Sequence, residues 1–145
     1  MGSAAAAIEL PFDAATVWRL VGGFGALPDW LPYITTSELG EGGRTRRLTN
    51  PDGEVIVERL LIFDEDGRSY SYAILQAPFP VTDYVSTLRV SAKSNDAGSR
   101  VIWSGYFTPR GVSAADATQL FQGIYDAGLA ALAAHYQSQN SAAPA

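Results

Sequence analysis

The chain has 145 residues, a formal net charge of −5, no cysteine and one histidine. This length suits one domain with its own core, and 47% hydrophobic residues argue against disorder. An acidic chain with a single lysine lacks the basic surface that nucleic acids require, and the cysteine and histidine counts disfavour disulfides, thiol catalysis and metal clusters.

The N-terminal part predicts one strand followed by two short helices. Residues 8–10 form the first strand, and Asp13 is a natural N-cap for a helix over 14–21 that stops at Gly22. A second helical piece is predicted over 25–30, and the neighbouring prolines keep it short.

Six further strands follow, separated by turns rich in Gly, Pro, Asn and Asp. The predicted strands are 34–39, 44–49, 54–63, 69–76, 83–91 and 100–108, with a last turn at 95–98. Consecutive strands joined by short turns predict an antiparallel meander.

The chain ends in a long predicted helix. Ser113 and Asp116 resemble a capping box, and apolar residues such as Phe121 and Tyr125 then recur at helical spacing around a wide face. Residues 138–145 are small and polar and are predicted to be a disordered tail, which leaves one domain over 1–137.

The order of these elements predicts an α+β fold with a curved antiparallel sheet of six to seven strands around the C-terminal helix. One helix cannot fill the hollow of a strongly bent sheet, so we expect a pocket between helix and sheet.

One carboxylate lies in a strand that is otherwise suited to burial. The third strand of the series has ten residues, seven of them apolar, and Glu58 shares a face with Ile56 and Ile62. Burial of an unpaired carboxylate is costly or raises its pKa. Glu58 therefore pairs with an arginine such as Arg46 or Arg89, lines a wet cavity, or lies at a solvated rim.

The whole pattern resembles the Bet v 1-like helix-grip (START, or SRPBCC) superfamily over residues 8–136. This superfamily includes START lipid-transfer domains, bacterial polyketide cyclase/dehydrase-type proteins and the plant abscisic-acid receptors. Residues 16–24, the triplet Glu58-Arg59-Leu60 with Asp64, and residues 83–88 are similar to the abscisic-acid-receptor branch.

The resemblance implies roles for individual residues. Glu58 matches a pocket glutamate that organises ligand-bound waters, and Tyr84 matches a ligand-contacting tyrosine. Tyr72, Phe121 and Tyr125 fall where pocket-wall residues lie.

Three departures from the receptor pattern change the expected ligand. Residues 50–53 replace the gate loop, residues 79–81 replace the latch, and Leu31 stands where the receptors have a lysine that anchors a carboxylate. We therefore expect neither abscisic acid nor a phosphatase partner, and a neutral or phenolic ligand fits better.

Two strands carry further candidates for the pocket. Tyr70 and Tyr72 share one face, and Tyr84 and Ser86 share another; if both faces point inward, Tyr72 and Tyr84 join Glu58 around one cavity. A glutamate with a raised pKa beside phenols could move a proton during cyclisation, dehydration or enolisation. The alternative is that these tyrosines are ordinary wall or rim residues.

The sequence thus yields a set of candidate site residues. The catalytic candidates are Glu58, Tyr72 and Tyr84. The ligand-binding candidates are Trp30, Tyr33, Arg46, Ile56, Ile74, Phe79, Ser86, Ser104, Phe121 and Tyr125. Trp30 and Tyr33 are expected at one lip of the opening and Phe79 at another, whereas Trp18 and Trp103 are expected to be structural.

Three functional hypotheses follow. The first is binding of a small apolar molecule, aromatic, polyketide-like or lipid-like, in the internal cavity. The second is a cofactor-independent cyclase, dehydratase or isomerase that uses Glu58 as acid and base. The third is a non-catalytic partner protein whose loops present Phe79 and Trp30 to another chain.

The sequence also gives expectations for the location, oligomeric state, cofactors and partners of the protein. No apolar stretch approaches the roughly 20 residues that cross a bilayer, and residues 1–7 lack the features of a signal peptide. We expect a cytoplasmic monomer or weak homodimer that needs no cofactor or metal, does not insert into membranes and does not bind nucleic acid.

Overall fold

A computed structural model describes the backbone of residues 1–93 and 98–142 and the side chains of those residues up to 137. The strands are β1 (Gly2–Leu10), β2 (Thr36–Gly40), β3 (Thr45–Thr49), β4 (Val55–Asp64), β5 (Ser69–Gln76), β6 (Val81–Ala92) and β7 (Ser99–Pro109). The α-helices are α1 (Ala14–Val21) and α2 (Ala114–Ala142), and short 3₁₀ helices cover Leu27–Asp29 and Glu41–Gly43.

The seven strands form one antiparallel sheet in the order β1-β7-β6-β5-β4-β3-β2. Strands β2 to β7 are neighbours in chain order, so the predicted meander is confirmed. The N-terminal strand closes the other edge, where Gly2 lies opposite Phe107 and Leu10 opposite Ser99. The helix-grip fold expected from the sequence is therefore confirmed.

The first strand is six residues longer at its start than predicted. The sequence predicted residues 8–10, but pairing with β7 runs from Gly2 to Leu10. Alanines occupy residues 4–7, and alanine is depleted in strands, so the local sequence hides a strand that the neighbouring β7 stabilises.

The helices after β1 differ from each other in how well they were predicted. The first is confirmed, because the Thr16 amide donates to Asp13 Oδ1 at 2.7 Å and caps Ala14–Val21. The second is shorter than predicted, a single 3₁₀ turn over Leu27–Asp29 with Pro28 in it. The turn predicted at 95–98 falls mostly on 94–97, outside the described residues.

Alternation of faces breaks along β4. Register shifts occur between Val57 and Glu58 and again between Leu60 and Ile62. A bulge of this kind changes which face the following residues point to. Ile62, which was predicted to share the face of Glu58, is consequently 63% exposed.

Helix α2 packs along the inner face of the sheet. The Asp116 amide donates to Ser113 Oγ at 3.0 Å, as the predicted cap requires. Phe121, Tyr125 and Leu132 are buried against the strands. The helix comes close to β7 at Gly128, since a Cβ added there would lie 2.6 Å from the Trp103 ring.

The C-terminal end overlaps the tail predicted at 138–145. The helix runs to Ala142, and residues 143–145 lie outside the described part of the chain. Within the described residues, neither helix has the length and apolar content that a bilayer crossing would need.

Candidate functional site

A small cavity lies between the inner face of the sheet and α2. Its volume is about 40 Å³, which holds a few water molecules. Tyr33, 37% exposed, and the half-buried Phe79 stand at its edge toward solvent. The residues that border it are Leu27, Leu31, Tyr33, Ile34, Arg46, Leu48, Ile56, Glu58, Tyr72, Ile74, Phe79, Tyr84, Trp103, Phe121, Ile124 and Tyr125.

The cavity is in the predicted place but is smaller than predicted. Aromatic rings fill most of the hollow between helix and sheet: the centroids of Tyr84 and Phe121 are 4.8 Å apart, as are those of Trp103 and Tyr125. The remaining space admits a few atoms of a ligand rather than a whole ring system.

A buried ion pair forms one side of the cavity. Arg46 on β3 lies directly opposite Glu58 on β4 in the sheet register, so both side chains point to the same face. Arg46 Nε and Nη2 each lie 2.7 Å from Glu58 Oε1, and the two residues are only 1% and 6% exposed. Glu58 therefore both pairs with Arg46 and borders the cavity.

Each nitrogen of the Arg46 guanidinium contacts a protein group. Its Nη1 donates to the Phe24 carbonyl at 3.0 Å and to the Tyr70 hydroxyl at 3.3 Å. Its carbon also lies 4.2 Å from the centre of the Phe24 ring and 4.8 Å from that of Tyr72. Such a cation over aromatic faces is held rigidly, and it neutralises the Glu58 charge.

The second oxygen of Glu58 is left for a ligand. Arg46 contacts only Oε1, and among the described residues no donor reaches Oε2. Burial raises the pKa of the Glu58 carboxyl above its ordinary value, and the Arg46 guanidinium opposes this only in part. Within the described part of the chain, this oxygen is thus a strong acceptor without a protein donor.

A chain of polar side chains lies on the other side of the cavity; we call it the hydroxyl chain. The hydroxyls of Tyr84 and Tyr125 are hydrogen-bonded to each other, and Tyr125 also donates to Ser86 Oγ at 3.5 Å. Trp103 Nε1 donates to Ser86 Oγ at 3.0 Å and to the Tyr72 hydroxyl at 3.1 Å. Strands β5, β6 and β7 and helix α2 are thereby joined through uncharged groups.

The phenols of the hydroxyl chain stay protonated at neutral pH. Burial raises the pKa of Tyr72 and of Tyr84 well above 10 and also raises that of Tyr125. Gly105 makes room for this arrangement, because a Cβ at Gly105 would collide with the Tyr125 hydroxyl. These groups can therefore donate hydrogen bonds but carry no charge.

Most predicted site residues are brought together. All three catalytic candidates and most of the binding candidates border the cavity, and Ser86 lies behind it in the hydroxyl chain. Those on the cavity wall are Tyr33, Arg46, Ile56, Glu58, Tyr72, Ile74, Phe79, Tyr84, Phe121 and Tyr125.

Two predicted binding residues lie elsewhere. Trp30 is buried behind the wall, with its ring 6.2 Å from that of Trp103, and it borders a surface depression beside His135 instead of the cavity. A buried Trp30 is also not presented to a partner chain, contrary to the third hypothesis. Ser104 points to the opposite face of the sheet from Trp103, because neighbours in a strand alternate.

Trp103 is the main residue that the sequence interpretation missed. It was expected to be only structural, yet it borders the cavity and donates to two members of the hydroxyl chain. Trp103 is separated from Val101 and Phe107 by an even number of residues along β7, so it shares their buried face. This spacing could have placed it on the inner face. Leu27 and Ile34 come from a segment without periodicity, so no comparable signal pointed to them.

The chain is similar to a known protein family and to several solved structures. The family described as "Polyketide cyclase / dehydrase and lipid transport" matches residues 1–137. No curated protein is matched.

Three solved structures illustrate the similarity. A Bacillus thuringiensis protein is 48% identical with a TM-score of 0.92, over 94% of this chain and 99% of that one. The protein XoxI from Bacillus cereus is 48% identical with a TM-score of 0.93, over 97% of this chain and 99% of that one. The Zhui aromatase/cyclase from Streptomyces sp. R1128 is 15% identical with a TM-score of 0.73, over 94% and 92% of the two chains, and shares the fold.

Proposed function

This chain belongs to the polyketide cyclase/dehydrase and lipid transport family, and we propose that it binds a neutral, hydroxyl-bearing aromatic or other apolar molecule. The ligand hydroxyl enters the cavity and donates to Glu58 Oε2. The observation that carries this proposal is the buried residue Glu58, which borders an otherwise mostly apolar cavity and has one carboxylate oxygen without a donor among the described residues.

The charge balance of the cavity favours a neutral ligand. Each nitrogen of the Arg46 guanidinium already contacts Glu58 or the Phe24 carbonyl. A ligand carboxylate would bring a second negative charge next to Glu58 without a free cation to meet it, and burial of such a charge is costly.

The size and walls of the cavity favour a hydroxyl on an apolar body. A volume of about 40 Å³ admits a ligand hydroxyl with a few neighbouring atoms. Apolar side chains such as Leu31, Phe79 and Ile124 surround the outer part, where the burial of ligand surface contributes about 25 cal/mol per Å². Affinity then comes from the apolar body, and orientation comes from Glu58.

Phenol, anisole and acetophenone test this proposal by titration calorimetry. Phenol can donate to Glu58, whereas anisole and acetophenone can only accept. We expect phenol to bind about tenfold more tightly than either acceptor-only compound, which corresponds to one charge-assisted hydrogen bond. Equal affinities, or no binding by any of the three, would refute the proposal.

A Glu58→Gln variant sharpens the same test. Its amide oxygen would accept from Arg46, so its amide nitrogen would face the cavity as a donor. The preference should reverse, and acetophenone should then bind more tightly than phenol. Unchanged preference in the variant would show that residue 58 does not contact the ligand.

The raised pKa of Glu58 supports a second candidate function, acid–base catalysis on a ketone. The Glu58 carboxylate would take a proton from the carbon next to a ligand carbonyl. The C–H electron pair would form a carbon–carbon double bond, and the carbonyl π pair would move to the oxygen, which gives an enolate. A tyrosine hydroxyl would stabilise that oxygen, and Glu58 would return the proton to a carbon or to a departing hydroxyl, which leaves as water.

Deuterium exchange separates catalysis from binding. In D₂O, an acid–base role predicts that the protein accelerates exchange of the methyl protons of acetophenone, observed by NMR, and that Glu58→Gln abolishes the acceleration. Exchange at the uncatalysed rate in the native protein would leave binding alone.

A further inference from the structure

We infer that the apolar body of the ligand lies outside the cavity, in a groove on the surface of α2; this inference rests on the proposed function. We call this site the outer groove. It runs between residues 31–33 and the face of α2 that carries Leu120, Gly123 and Ala127, and its volume is about 430 Å³. The ligand is thus an elongated amphiphile with a hydroxyl at one end and an alkyl or aromatic tail at the other.

The difference in volume between the two sites explains why the ligand hydroxyl lies in the cavity and the apolar body in the outer groove. The cavity beside Glu58 measures about 40 Å³, roughly a tenth of the outer groove. A ligand that places its hydroxyl at Glu58 cannot bring more than a few atoms inside. The rest of the molecule must therefore lie at the mouth or beyond it.

The two sites are adjacent. Leu31, Tyr33 and Ile124 border both the cavity and the outer groove. Tyr33 is partly exposed at the mouth, where its hydroxyl accepts a hydrogen bond from Asn50 Nδ2 at 3.3 Å. A molecule that extends from the cavity past these shared side chains would therefore reach the outer groove.

The walls of the outer groove select an apolar occupant. Among the described residues no charged side chain borders it, and its surface comes from leucine, isoleucine, proline, tyrosine, alanine and glycine. Packing within the chain does not require the glycine at 123, since a Cβ there would meet nothing within 4 Å. Glycine weakens a helix interior, so Gly123 has a cost that packing within the chain does not explain. Its lack of a side chain leaves the groove deeper at this point.

A series of 4-alkylphenols tests the inference. Titration calorimetry with phenol, 4-ethylphenol, 4-butylphenol and 4-hexylphenol should show affinity rising about two- to fourfold for each added methylene, as expected for burial of a methylene group. The ratio of the 4-hexylphenol and phenol affinities measures the contribution of the tail.

Two variants locate that contribution. Gly123→Leu fills the outer groove and should reduce the affinity ratio to about that of 4-ethylphenol to phenol, because only the first carbons remain sheltered at the mouth. Ala130→Leu adds the same side chain at an exposed residue of α2 that does not border the groove, and it should leave the ratio unchanged.

The outcomes distinguish this inference from the proposed function. If phenol binds but alkyl length has no effect, or if Gly123→Leu keeps the full ratio, the outer groove is not the tail site while the cavity proposal stands. If no phenol of any length binds, the proposed function fails, and this inference fails with it. A homodimer, detected by analytical ultracentrifugation, that Gly123→Leu dissociates would assign the groove to a second copy and overturn the inference.

Discussion

The two polar sides of the cavity are built in different ways. Arg46 and Glu58 form a charged pair across adjacent strands, so the sheet register alone brings them together. The hydroxyl chain is uncharged, and it requires α2 to place Tyr125 against Tyr84 and Ser86. Substitution in the charged pair should therefore cost much stability at either of two residues, whereas the hydroxyl chain spreads a smaller contribution to stability over several residues.

Loss of one member of the charged pair should have the largest effect. Arg46→Met leaves Glu58 buried without a cation, and we expect the free energy of unfolding to fall by about 3–5 kcal/mol. Urea denaturation measures this change. Arg47→Met is the matched control, because Arg47 is an exposed neighbour on the same strand and its replacement should cost less than about 0.5 kcal/mol.

The double variant Arg46→Met/Glu58→Met tests the cause of that loss. Removal of both charges eliminates the uncompensated carboxylate, so most of the stability should return. A double variant as unstable as Arg46→Met would mean that packing around the arginine, rather than charge, dominates. A loss no larger than that of Arg47→Met would contradict the account of the charged side.

The hydroxyl chain should respond to alkaline pH. Tyr72, Tyr84 and Tyr125 have folded-state pKa values above the ordinary value of 10, so the folded state holds protons that the unfolded state releases. Their contribution to stability is therefore complete below pH 10 and is lost as pH rises above it. Each tyrosine can add about 1.4 kcal/mol per pH unit to the slope.

Denaturation between pH 9 and pH 12 measures this slope. Tyr84→Phe should make the slope shallower because it removes one of the three phenols of the hydroxyl chain. A slope that is the same in Tyr84→Phe and the native protein would show that the hydroxyl chain does not govern the alkaline response.

Removal of a single hydroxyl should have the smallest effect. Tyr125→Phe loses the hydrogen bonds to Tyr84 and Ser86 but leaves no charge behind, so we expect a loss of about 1 kcal/mol in the free energy of unfolding. Tyr106→Phe is the control, since Tyr106 is exposed on β7. If Tyr125→Phe cost as much as Arg46→Met, the contrast between the two sides would not hold.

The fold and the charged pair were largely accessible from sequence. Turn residues and strand periodicity predicted Ser69–Gln76 at its observed bounds. The apolar strand containing Glu58 left three possibilities, of which a partner such as Arg46 was one. The long first strand was missed because its alanines give no local signal and only pairing with β7 reveals it.

The shape of the cavity was not accessible from sequence. Neighbouring residues of β7 point to opposite faces, so Trp103 faces inward and Ser104 outward. Ser104 had been predicted to line the cavity, and Trp103 had not been included among the site residues. The small volume depends on how rings such as Tyr84, Phe121 and Tyr125 pack against each other, and a sequence pattern gives faces but not the space between them.

Titration calorimetry of phenol against benzoate at neutral pH tests the central claim most directly. The two compounds present a similar aromatic body, but one offers a neutral hydroxyl and the other a carboxylate. One oxygen of Glu58 can accept a hydrogen bond from a ligand, and the charge of Arg46 is already neutralised by Glu58. We therefore expect phenol to bind at least about tenfold more tightly than benzoate. Benzoate binding as tightly as phenol, or more tightly, would contradict the account.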